Sequence, residues 1–160
     1  MPNHFHFLIR TKANTEIKIH LNSTPKELLK PIEIDFINEA AVLNELFEIE
    51  WMRFFTSYSM AFNKMFNRKG NFFHRPFKRV LIQDEFHLRR AIVYIHSNPI
   101  KHNVYNDFEN YKWSSYQSIL STKPTQLKRD LTLDLFGNKN EFIKIHREVS
   151  KNYVNCNIEI

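Results

Sequence analysis

Between Leu43 and Phe66, ten apolar residues recur at steps of three and four: Leu43, Leu46, Phe47, Trp51, Phe54, Phe55, Tyr58, Phe62, Met65 and Phe66. A stripe of that period demands an amphipathic helix that hides one face. The pattern predicts one long helix over Asn38–Asn67, with the Phe/Met stripe in a core. Gly70, one of only two glycines, follows Asn67-Arg68-Lys69, as a helix C-terminus requires. Ahead of it, Thr24-Pro25-Lys26-Glu27 is a capping box with proline at the first helical position, and Pro31 is expected to stop that short helix after Lys30. Asp84 is placed to cap a further helix that ends before Pro99, with Leu88, Ile92 and Ile95 as its core stripe. A last helix is expected from about Asn140 to Tyr153. Residues 11–24 read as polar and strand-poor, and 103–120 as aromatic but irregular.

Two segments read as strands. In Met1-Pro-Asn-His-Phe-His-Phe-Leu-Ile9 the two histidines alternate with two phenylalanines. Alternation along a strand puts His4 and His6 on one face and Phe5 and Phe7 on the other. Two imidazoles on one face suit a divalent cation, while the apolar side anchors the strand in a core. Residues 71–83 also read as extended, but Pro76 interrupts them and places them at a sheet edge.

Charge is unevenly distributed. Residues 31–50 carry six acids and no Lys or Arg, whereas residues 51–102 carry ten Lys or Arg against Asp84 and Glu85. Cations interleaved with aromatic rings suit single-stranded nucleic acid, where cations pair with phosphates and rings stack on bases. No stretch approaches the ~18 apolar residues of a membrane span, and no basic-then-apolar leader is visible. The single cysteine, Cys156, cannot form an internal disulfide, which suits a reducing cytoplasm. No membrane partner is expected.

A second constellation lies before Pro99. Arg90, Tyr94 and Asn98 stand at steps of four and share one helical stripe. A phenolic oxygen can attack phosphorus, an amide carbonyl is an acceptable ligand for Mg2+ or Mn2+, and a guanidinium can pair with a phosphate. Read alone, the same stripe describes a half-buried tyrosine with polar neighbours.

Four ordered segments carry a resemblance. They are Met1–Ile9; Tyr58-Ser-Met-Ala-Phe-Asn63 through Asn67-Arg-Lys-Gly-Asn-Phe-Phe73 to Phe77-Lys78; Tyr94-Ile-His-Ser-Asn-Pro99; and Tyr111-Lys-Trp-Ser-Ser-Tyr116. Together the chain resembles the HUH single-tyrosine transposases, most closely the REP-associated tyrosine transposase branch of the IS200-like family. The resemblance implies an α+β ferredoxin-like sandwich, an antiparallel sheet with helices on one face. It implies a catalytic domain over residues 1–120, followed by a helical tail at 121–160. His4, His6 and Asn98 fall on the metal ligands, for Mg2+ or Mn2+, and Tyr94 falls on the nucleophile. The implied activity is metal-dependent nicking and rejoining of single-stranded or hairpin DNA through a 5′-phosphotyrosine, in the bacterial cytoplasm and nucleoid. Positive charge beside the tyrosine would favour its phenolate, with the metal and Arg90 as candidates. His96 is a further candidate for a general base, although it lies off the Tyr94 stripe.

Arg68, Lys69, Arg75, Lys78 and Arg79 flank the expected edge strand and, with Arg90, are the candidate phosphate contacts. In the family a strand and a helix precede the HUH strand, and this chain starts almost on the metal ligands. The expectation is therefore a sandwich lacking that first strand and helix, or a homodimer in which a second copy lends the strand. A non-catalytic hairpin DNA- or RNA-binding module and an inactive transposase remnant are the alternatives.

Overall fold

A computed structural model describes residues 4–73 and 77–155. Arg75 and Cys156 lie outside the described residues. The chain divides into two compact units, Met1–Ile9 with Val80–Ile160, and Arg10–Arg79.

Seven α-helices appear among the described residues, and no strand does. The expected ferredoxin-like α+β sandwich is thus replaced by a helical architecture. The reason lies in the backbone. A strand exists only where its N–H and C=O groups find a neighbour, and residues 4–9 and 77–83 run without a ladder partner. Burial does not compensate, for Phe7 is 60% and Leu81 80% exposed. The two-residue alternation nevertheless survives locally. The rings of Phe5 and Phe7 lie 4.7 Å apart and those of His4 and His6 5.3 Å apart, so each pair still shares a side.

The second unit holds α1 (Asn14–Asn22), a 3-10 turn (Lys26–Leu28), α2 (Pro31–Ile37) and α3 (Leu43–Met65). The carboxylates of Glu16, Glu33 and Glu45 each accept the backbone N–H of the residue that opens the helix, at 3.1, 2.7 and 2.9 Å. One side chain thereby satisfies an otherwise orphaned donor at each helix start. Pro31, expected to stop a helix, begins one, because its missing N–H costs nothing in a first turn. The single helix expected over Asn38–Asn67 is split, with Glu39 in the left-handed region at φ 61° between α2 and α3. The far end of α3 is closed by Asn67, also left-handed at φ 48°, ahead of Gly70. Leu21, Phe36 and Leu46 form the buried core of this unit.

In the first unit, α4 (Glu85–Lys101) and α7 (Lys139–Asn155) pack together, with α5 (Tyr116–Leu120) and α6 (Arg129–Leu135) between them in sequence. Asp84 caps α4 as expected, its carboxylate accepting the His87 N–H at 2.7 Å. Pro99 does not end the helix but lies inside it, buried in the last turn, where only one hydrogen bond is forfeited. The core is Ile92, Val93, Phe108, Tyr116, Ile119, Phe136 and Phe142. Ile92 is buried as expected, Leu88 packs against the cluster, and Val93 supplies a contact that the stripe did not include.

Candidate active site on helix α4

The spacing of α4 and the alternation of the N-terminal segment bring four expected residues together. His4 Nε2 lies 3.3 Å from Asn98 Oδ1. The His6 ring stands edge-on to the Tyr94 ring at 5.4 Å. Asn98 is buried at 1% exposure, and its Nδ2 has no hydrogen-bond partner. An orphaned amide of this kind is costly, and functional sites are where such costs persist.

Two further residues, both missed by sequence reasoning, join the cluster. The His102 ring lies 5.0 Å from that of His4. The Lys101 ammonium sits 5.2 Å from the centre of the Tyr94 ring, placing a cation beside the phenol. The signal for His102 was available, since it extends the Tyr94–Asn98 step by another four residues. Lys101 follows Tyr94 by seven, two helical turns. Burial and the neighbouring His4 and His102 imidazoles push His6 below its ordinary pKa. His102 is lowered by desolvation, His4 and Lys101. Neutral imidazoles are the form that binds a cation.

The donor types fit a divalent ion. Two donor atoms on adjacent corners around an ion with ~2.1 Å bonds lie about 3.0–3.4 Å apart, and the His4–Asn98 pair stands at 3.3 Å. Among the described residues, no three His, Cys, Asp or Glu side chains are arranged to hold an ion as they stand. The set present is instead imidazoles with an amide oxygen, and holding an ion requires His4 in the tautomer that leaves Nε2 bare.

His96 is placed away from Tyr94, on the other side of α4. His146 Nδ1 donates to the Phe142 carbonyl at 2.7 Å, which leaves its Nε2 as an acceptor. His96 Nδ1 then donates to His146 Nε2 at 2.9 Å, and the Ser115 hydroxyl donates to His96 Nε2 at 2.8 Å. A second buried bond, between the Ser97 and Ser150 hydroxyls at 2.9 Å, lies one residue along. These two polar bolts join α4 to α7 and hold the stretch that carries Tyr94 and Asn98. Burial lowers His96 to about 3 and His146 to about 4, so both are neutral near pH 7. An imidazole so reluctant to take a proton is a poor general base, and its role is to position the helix.

The phosphate candidates divide between the units. Arg90 is exposed in the first unit, its guanidinium 5.7 Å from the Phe86 ring. Arg68, Lys69, Lys78 and Arg79 are exposed in the second unit. Arg68 lies 5.8 Å from both the Phe62 and Phe72 rings. Arg79 is paired with Glu48 at 2.7 Å, which spends part of its charge. The edge strand that these residues were expected to flank is not formed.

No family model matches the chain, and no curated protein or solved structure matches it.

Proposed function

We propose that the chain is a divalent-metal-dependent single-stranded DNA transesterase of the HUH single-tyrosine transposase type. The observation that carries this reading is the convergence of His4, His6, Asn98 and Tyr94, which come from the two separate segments of chain that make up the first unit. His4, His6 and Asn98 would hold the ion, which when bound withdraws charge from a phosphodiester's oxygens. The Tyr94 oxygen attacks phosphorus and forms a tyrosine–phosphate bond to the 5′ side. The bond from phosphorus to the 3′ oxygen breaks, that oxygen leaves as a hydroxyl on taking a proton from solvent, and the phenol's proton passes to solvent. A 3′-hydroxyl attacking the phosphotyrosine reverses the step and joins new ends. Lys101, over the Tyr94 ring, offers a cation to the phosphate.

A labelled hairpin oligonucleotide incubated with the protein and Mn2+ tests the reading. A covalent protein–DNA band on a denaturing gel is expected. Tyr94→Phe abolishes it while leaving DNA binding intact, because the ring's packing is kept and only the nucleophilic oxygen is lost. A band that survives in the variant removes Tyr94 as nucleophile and turns attention to the half-exposed Tyr58 and Tyr105.

A non-catalytic nucleic-acid-binding module is the second reading. It is favoured by the second unit, where half-exposed Phe54 and Tyr58 lie on α3 and Arg68 and Lys69 follow just beyond its end.

A further inference from the structure

Phe86 extends the stripe of Arg90, Tyr94 and Asn98 by one more step of four, towards the start of α4. Its ring is 70% exposed, and the Arg90 guanidinium lies 5.7 Å from the ring centre. Tyr94 stands about 12 Å further along the helix, with the Lys101 ammonium 5.2 Å from its ring. A third pair lies just beyond the helix. The Val104 and Tyr105 N–H groups fold back on the last turn, donating to the Pro99 carbonyl at 2.8 and 3.2 Å. The Tyr105 ring is 5.7 Å from that of Tyr111, and the Ser114 N–H closes a turn on the Tyr111 carbonyl at 3.1 Å. That turn holds Lys112 and Trp113, with the Lys112 ammonium 4.8 Å from the centre of the Trp113 ring. Phe108 and Tyr116, buried on either side of it, fix the turn to the core, yet Trp113 is 75% exposed. Indoles are seldom left so far in water, because they carry so much apolar surface.

We infer that α4 and the turn after it form a track for single-stranded DNA, in which Phe86 and Trp113 stack on unpaired bases to either side of the phosphate at Tyr94. The inference rests on the transesterase reading and adds the residues that hold the flanking strand. A single strand offers base faces to rings and phosphates to the cations beside them, and three cation–ring pairs in succession match that alternation. Charge agrees. Along α4, Glu85 is the only acid, against Arg89, Arg90 and Lys101. In the loop that follows, Glu109 is paired with Arg147 at 2.7 Å, and Asp107 accepts the Asn110 side-chain amide at 2.6 Å. The bases of a duplex keep their faces in their own stack, so exposed rings of this kind select unpaired strand.

The test uses the full chain and two probes, a DNA hairpin with single-stranded thymidine flanks at both ends and the same hairpin without them. Binding is read in chelator, where the strand stays intact. Trp51→Phe leaves Trp113 as the sole indole, and its emission is expected to be quenched by the flanked hairpin and not by the blunt one. Phe86→Ala and Trp113→Ala should each weaken binding of the flanked hairpin at least ~5-fold, the loss of one base–ring stack. Binding of the blunt hairpin should barely move. Trp113→Phe should recover most of the affinity, because a smaller ring still stacks. Both rings are exposed, so neither truncation should shift the melting temperature. Equal losses on the two probes, or none on either, overturn the inference, and a loss confined to one of the two rings overturns the two-sided track. A wild type that binds neither probe overturns the track and the transesterase reading together. A Tyr94-dependent adduct with Mn2+, alongside unaltered binding by both Ala variants, removes the track and leaves the transesterase. Flank-dependent binding that needs both rings, with no adduct, leaves the track and removes the transesterase.

Discussion

The two units spend their aromatic residues in opposite ways. In the first, Tyr116, Phe142 and the His146 ring are completely buried, and the Phe142 and His146 ring centres lie 4.1 Å apart. In the second, the α3 stripe of Trp51, Phe54, Phe55, Tyr58, Phe62 and Phe66 forms a ladder of rings along one face, joined by Phe72 and Phe73. Yet Phe54 is 51% and Phe66 56% exposed, and Leu46 is the one buried residue of the helix. Composition and period are alike. The difference is that α4 has α7 against it, whereas the rings of α3 pack chiefly on one another and on the short segment after the helix. An apolar period declares that a face wants cover, and burial follows only where another element supplies it.

Truncating one aromatic residue in each unit gives the sharpest contrast. Phe142→Ala empties a fully buried site and is expected to cost ~3–5 kcal/mol, read by chemical denaturation. If the loss stays below about 1 kcal/mol, the first unit is not the well-packed one.

Acid should distinguish the units next. His96 and His146 are buried neutral, at about 3 and about 4 against an ordinary 6.5. Glu109 and the Phe142 carbonyl favour the charged form of His146, but burial outweighs them. Since the unfolded chain binds protons that the fold refuses, their contribution is complete above pH 6.5. It falls as the pH drops from 6.5 through about 4 and towards 3, by on the order of 2 kcal/mol or more. A melting series from pH 7 to pH 4 should show that slope, and His146→Leu should flatten it. A wild-type profile as flat as the variant's would show that the polar bolt is not what acid attacks.

Phe54→Ala should have the smallest effect, about 1 kcal/mol or less, because the ring loses neighbours but little burial. Trp51, 5.4 Å from Phe54, reports on the second unit once Trp113 is replaced by Phe. A Phe54→Ala loss as large as that of Phe142→Ala would erase the contrast and show that the α3 face is covered in solution.

Much of the local order was legible in the residues. Asp84 was readable as the cap of α4, because a carboxylate meeting free N–H groups is a contact within one turn. The joint placement of Tyr94 and Asn98 followed from a step of four. The paired sides of His4/His6 and Phe5/Phe7 followed from extended backbone, which alternates with or without a sheet. Pro31 and Pro99 were misread because proline's cost depends on its place in the turn, and the surrounding chain sets that place.

What the sequence by itself determined is the set of local periods: which residues share a face of α3 or α4, and which side of the first segment the imidazoles take. Tertiary structure alone decided whether the extended segments became strands, since a ladder needs a neighbour that no local pattern supplies. It alone brought His4 to Asn98 across 94 residues and set the His4 ring beside that of His102, and it made His96 a bolt to His146 instead of a base for Tyr94. Local periods arise from bond geometry within a few residues. Contacts between distant segments depend on which faces find each other, and burial, hydrogen-bond pairing and charge are settled only there.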